Sequence, residues 1–129
     1  MNEIAATLVD ARGQVRQALE GMEGSVSFTL RASFPKGKTQ GNVVTWKEYS
    51  NVSTNIPVVD EIVFQVDLWT MGGDDQAVLS QGVNRAMVGI GFRRVYAGPV
   101  EYDENGAGYL HRVFRFGRKV DKRFMRLID

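Results

Sequence analysis

The sequence predicts an α+β domain, a mostly antiparallel sheet with two helices packed on one face, in the order α-β-β-β-α-β-β. Three observations lead there. Two stretches repeat their apolar residues with the period of a helix, one near the start of the chain and one past its middle. Several others alternate with the two-residue period of a strand or are dense in β-branched and aromatic residues. The two kinds of element do not alternate regularly, which argues against a parallel α/β arrangement.

Residues 3–20 place Ile4, Leu8, Ala11, Val15 and Leu19 on one helical stripe, with Asn2 as its cap and Gly21 as its stop. Val26, Phe28 and Leu30 then alternate with Ser25, Ser27 and Thr29, the pattern of a half-buried first strand. Residues 31–42 (RASFPKGKTQGN) hold one proline, two glycines and three basic residues without periodicity. They read as a long exposed loop, and loops of that length in compact domains tend to be functional or ordered by a partner. Residues 43–49 (VVTWKEY) form the second strand, and residues 50–57 (SNVSTNIP) a turn-rich connector.

The clearest strand covers residues 61–69 (EIVFQVDLW). Ile62, Phe64, Val66 and Leu68 share one face while Glu61, Gln65, Asp67 and Trp69 take the other, as expected of a central strand with one buried side. Residues 71–74 (MGGD) break it and open a second helix, with Asp74 and Asp75 at the positive end of the helix dipole. Val78 or Leu79, Val83, Met87 and Ile90 supply its apolar face. Gly82 inside it costs about 1 kcal/mol relative to alanine, for which close packing against the sheet would compensate. After Gly89–Gly91, residues 92–102 and 109–119 form two strands joined by residues 103–108 (DENGAG), whose Asn105-Gly106 pair favours a hairpin turn. No repeat or linker divides the chain, so residues 1–129 are expected to be one domain.

With 129 residues, 43% hydrophobic and 24% charged, the chain has the composition of an ordinary globular domain, able to remove roughly two-thirds of its unfolded surface from water. The absence of cysteine excludes disulfides and thiolate metal sites. The opening MNEIAATLVDARGQ has early acidic residues and no long apolar core, and no run is long enough to span a bilayer, so an intracellular protein or part of a particle assembled inside a cell is expected. The net charge of +1 hides a polarity: seven basic and two acidic residues follow from Arg112 onward, against nine basic and thirteen acidic before it. Such a step suits a molecule that meets copies of itself or partners in a fixed orientation, although a solvated basic terminal segment accounts for it equally.

Little in the sequence points to chemistry: no catalytic, cofactor-binding or metal-binding residue is expected. His111 is the single histidine and sits in an alternating strand, where a sheet-surface or interface role is expected, with no residues placed to orient or activate it. The pairs Asp60/Glu61, Asp74/Asp75 and Asp103/Glu104 are sequence neighbours at strand, cap and turn positions, which makes poor acid/base pairs. PKGKT (residues 35–39) lacks the full spacing and following helix of a phosphate-binding loop. Trp46 and Trp69, lying in strands, are read as core or interface aromatics. A nucleic-acid surface is the rival reading, since Arg112, Arg115, Arg118, Lys119, Lys122, Arg123 and Arg126 interleave with Phe114, Phe116 and Phe124. Against it, the pI is about 8.0 and strand alternation buries Phe114 and Phe116.

Five stretches, in this order, carry a resemblance: NEIAATL at the first helix, VTWKEYSN (residues 44–51), FQVDLW (residues 64–69), NRAMVGIGFRR (residues 84–94) and HRVFRF (residues 111–116). Together they resemble the tail terminator, or tail completion, proteins of long-tailed bacteriophages, over nearly the whole chain. In many of those proteins the last motif reads Tyr-His-Lys-x-x-Arg-Phe; here Leu110 stands in the tyrosine position, Tyr109 lies one place earlier, and Arg112 replaces the lysine.

The resemblance implies a structural virion protein without a cofactor, forming a ring, generally a hexamer, at the head-proximal end of the tail after assembly in the host cytoplasm. It would contact the tail tube protein on one side and a head completion or connector protein on the other, while DNA passes through the bore without specific binding. The expected partner-binding residues are Phe34, Lys36 and Lys38 in the polar loop, and Arg115, Arg118, Lys119 and Lys122 at the basic end. In a closed ring those last four, expected to be exposed, would face acids such as Asp60, Glu61, Asp103 or Glu104 of a neighbour. The reading of a different class remains a small nucleic-acid-binding module using the basic C-terminal segment; a small hydrolase built on His111 is a third.

Overall fold

The structure, a computed structural model, describes residues 8–22, 26–32, 41–102, 108–123 and 126–127. Along the chain run α1 (Arg12–Glu20), β1 (Thr29–Arg31), β2 (Val43–Ser53), β3 (Val59–Thr70), α2 (Gly73–Gly89), β4 (Arg93–Ala97), β5 (Glu101–Tyr102), β6 (Leu110–Asp121) and β7 (Arg126–Leu127). One sheet has the order β1-β2-β3-β6-β4, and β5 and β7 also pair with β6. The β1–β2 pair is parallel and the other pairs are antiparallel. The architecture is the expected α+β one, with both described helices on one face of the sheet.

β3 organises the fold. It pairs with β2 on one side and β6 on the other, and Ile62, Phe64, Val66 and Leu68 point together into the core. Over them lie Val15 and Leu19 of α1 and Leu79, Val83 and Met87 of α2, with Phe114, Phe116 and Val120 beside them on β6. Each such side chain stabilises the fold by about 1.5–3 kcal/mol when fully buried. Phe92 meets Phe64 edge-on at a centroid distance of 5.9 Å.

Buried Asn42 joins three segments. Its Nδ2 donates to Ser27 O and to Asp75 Oδ2, and its Oδ1 accepts from Met71 N–H, so the start of α2 is tied to the strand edge. At the other end of α2, Gly91 takes a φ of 91°. Arg118 of β6 reaches this turn and donates to Ile90 O, satisfying a carbonyl at the helix C-terminus where positive charge is favoured.

Several boundaries differ from the expected ones, each for a local reason. The described helix α1 starts at Arg12: Asp10 Oδ1 accepts the Arg12 N–H in a local turn that competes with helix, and Leu8 is 71% exposed. Asn2 and Ile4 lie outside the described residues. β1 has three residues, although Val26, Phe28 and Leu30 still pack against the core. β2 continues to Ser53 through half of the expected connector, because Thr54 closes the turn: its Oγ1 and N–H both donate to Val59 O. The long strand expected over 92–102 is divided at Gly98-Pro99, where proline lacks the N–H a ladder needs. Residues 103–107, with the Asn105-Gly106 turn, lie outside the described residues. Leu79, not Val78, is the buried member of its pair. Gly82 does not approach the sheet; a Cβ there would meet Met22 Cε at 3.5 Å, on the side of α1.

Candidate interaction surface

The face of the sheet opposite the helices carries a continuous set of polar and aromatic side chains. Alternation brings Thr45 and Tyr49 of β2, Gln65, Asp67 and Trp69 of β3, His111 and Arg115 of β6, and Tyr96 of β4 to this side. His111 lies across from Trp69 in the ladder, and its ring stacks on the indole with centroids 3.7 Å apart and planes 6° apart. His111 Nε2 is 2.7 Å from Asp67 Oδ2. Asp67 Oδ1 accepts from Gln65 Nε2 at 2.9 Å, and Gln65 Oε1 accepts from Arg115 Nε at 3.1 Å. The Arg115 guanidinium lies 4.1 Å from the Tyr49 ring centroid and 5.1 Å from that of Tyr96. At the other end, Trp69 Nε1 donates to Thr45 Oγ1 at 3.1 Å. A shallow cleft of about 210 Å³ opens beside Thr45, Lys47, Gln65, Asp67 and Trp69.

His111 is therefore oriented, contrary to the sequence expectation: Asp67 holds one nitrogen and Trp69 one face. The nearby Thr45 hydroxyl already accepts the indole N–H, and the chain has no cysteine. Among the described residues, no group of three His, Cys, Asp or Glu side chains is placed to hold a metal ion. The arrangement suits a preformed contact surface, with side chains locked in place by their neighbours.

No family model matches this chain, and no curated protein matches it.

The expected partner-binding cations are placed very differently from one another. Arg115 is half-buried within the network just described. Lys119 is exposed, across the ladder from Glu61. Arg118 and Lys122 overturn the expectation of exposure, being 8% and 4% exposed. Arg118 has the same strand parity as Phe114 and Phe116, which turns it toward the helices and the Ile90 carbonyl. Lys122 Nζ lies 3.2 Å from Asp60 Oδ1, a buried charge contact outside hydrogen-bonding geometry. Asp60, offered above as an acid for a neighbour, is buried and set against a cation of its own chain instead. Phe34, Lys36, Lys38, Asp103 and Glu104 lie outside the described residues.

The basic C-terminal segment also fails to form a base-stacking platform among the described residues. Phe114 and Phe116 are core, and Arg112 folds over the Phe114 ring at 4.8 Å while its Nε donates to Gly98 O. Strand parity, read beyond the two phenylalanines, would have assigned Arg118 inward. The His111–Asp67–Trp69 contact depends on the β3–β6 register, for which the sequence carries no direct signal.

Two ionisable groups stand out elsewhere. The Arg12 side chain bonded to Asp10 draws that carboxyl down to about 2, helped by the Arg12 backbone N–H. Burial pushes the Tyr109 phenol upward; its hydroxyl donates to Gly41 O at 2.7 Å.

Proposed function

We propose that this chain is a tail terminator of a long-tailed bacteriophage: a non-enzymatic ring subunit that caps the tail tube, ends its polymerisation and offers a surface to the head connector. One observation carries the reading. Residues 44–51, 64–69 and 111–116, stretches in which the sequence resembles those proteins, run along three neighbouring strands, β2, β3 and β6, and jointly build the face that carries Thr45, Tyr49, Gln65, Asp67, Trp69, His111 and Arg115. Scattered short similarities become one contiguous face.

The mechanism is geometric. A tube grows because each added ring offers the next ring the surface it has just used. A ring that matches the tube on one side and differs on the other stops that repetition. Rigid, mutually bonded side chains suit such a role because little conformational entropy is lost on docking.

The test is growth of tail tubes from purified tube protein with and without this chain. Tubes that stop at one end with a ring of this chain on it, counted by electron microscopy and by mass, support the proposal. Tubes that elongate unchanged at saturating chain concentration overturn it.

A further inference from the structure

We propose that copies of this chain join head to tail through opposite edges of the sheet, the outer edge of β2 in one copy pairing with the outer edge of β4 in the next, with Glu48 set against Arg94. This deepens the ring reading and rests on it.

β1 covers β2 only from Val43 to Thr45, and no described residue pairs with the outer edge from Trp46 to Ser53. At the opposite end of the sheet, every residue of β4 is exposed. Open edges are templates for another strand, and these two also present apolar side chains about half exposed, Tyr49 and Val52 on one and Val95 and Tyr96 on the other.

Strand direction fits the joint. β2, β3, β6 and β4 alternate in direction, so the β4 of one copy and the β2 of the next meet antiparallel, continuing the pattern within each chain. Charge fits as well. One row crosses the sheet as Glu48–Phe64–Phe116–Arg94, with an exposed acid at the β2 end and an exposed base at the β4 end, both on the helix side. Repeating the row head to tail puts each acid against a base, whereas β4 meeting β4 would gather the Arg93 and Arg94 side chains of both copies at one joint. Each edge also carries a register shift beside this row, between Glu48 and Ser50 and between Arg94 and Tyr96. Such bulges discourage a straight, unrelated strand from adding to the edge. Because the two edges are unlike, the contact is heterologous, and a rotation that closes gives a ring.

The absence of native cysteine makes a clean test possible. In the doubly substituted chain Glu48→Cys with Arg94→Cys, the two thiols are separated by three strand spacings of about 4.8 Å each, too far for a bond within one chain. Mild oxidation should give a covalent ladder beyond dimers, while each single variant stops at dimers. Separately, Glu48→Arg or Arg94→Glu should raise the concentration of half-assembly at least roughly tenfold, and combining them should restore it. Wild-type rings without a ladder from the double-cysteine chain, or without rescue by the double reversal, overturn the edge joint and leave the ring reading standing. A wild-type chain that stays monomeric both alone and on tail tubes overturns both.

Discussion

Arg118 passes over the α-carbon of Gly91, its guanidinium occupying the place a β-carbon would take while it donates to the carbonyl of Ile90. A cation from the middle of the sheet thereby closes the C-terminal end of α2, and position 91 favours glycine because of its φ of 91°, while the crossing guanidinium is the far end of a flexible side chain that can give way.

Gly91→Ala should therefore destabilise the fold by about 1–3 kcal/mol in urea unfolding. Adding Arg118→Met leaves the backbone strain in place and removes the bond to Ile90 O, so it should not recover the loss. Wild-type stability for Gly91→Ala would mean that position 91 does not hold the left-handed backbone in solution.

The buried contact between Lys122 and Asp60 gives a second expectation. Lys122→Met strips the buried Asp60 carboxyl of this cation and should cost about 3–5 kcal/mol, and Asp60→Leu should be destabilising as well. The two together should be markedly more stable than either, as a double-mutant cycle by thermal unfolding would read. Additive losses would show that the two side chains do not interact.

On the open face, His111→Leu removes the imidazole that contacts Asp67 and should cost about 1–3 kcal/mol, whereas His111→Asn keeps a polar partner and should lose less. Tryptophan emission should change in both, because the imidazole lies against the Trp69 indole. Unfolding curves identical for the wild type and the leucine variant would remove the pair from the list of structural contacts.

Tyr109 sets an alkaline limit. Its folded phenol is held above the ordinary value by burial, so the unfolded chain releases this proton first. The stability it contributes is complete below the unfolded value near about 10 and falls as pH rises past it. Tyr109→Phe should flatten that alkaline fall, while giving up the bond to Gly41 O, worth about 1 kcal/mol at neutral pH. An unchanged pH–stability curve in the phenylalanine variant would contradict this.

Much of this molecule could be read from residue order, and the parts that could not share a cause. The burial of Ile62, Phe64, Val66, Leu68, Phe114 and Phe116 follows from a two-residue period with one apolar face, which a shift of register by one would destroy. The apolar spacing runs back to Leu8, past the described start of α1 at Arg12, because spacing does not register the local turn in which Asp10 takes the Arg12 N–H. Charge counting over the last residues treated Arg118 and Lys122 as surface, since a sum over sequence ignores which side of a strand each cation occupies. The His111–Asp67 contact required knowing which residues of β3 and β6 lie opposite one another, a matter of tertiary register that no local pattern encodes.

The position of β3 between β2 and β6 also orders events in time. Its pairing with β2 is a hairpin, Ser53 meeting Asp60 across a short turn, and closes at little entropic cost. Its pairing with β6 joins Thr70 to Leu110 and Val59 to Asp121, across the whole of α2 and β4. The hairpin's inner edge therefore finds its partner only through a long-range contact, and we expect the docking of β6 to be slow relative to closure of β2 on β3.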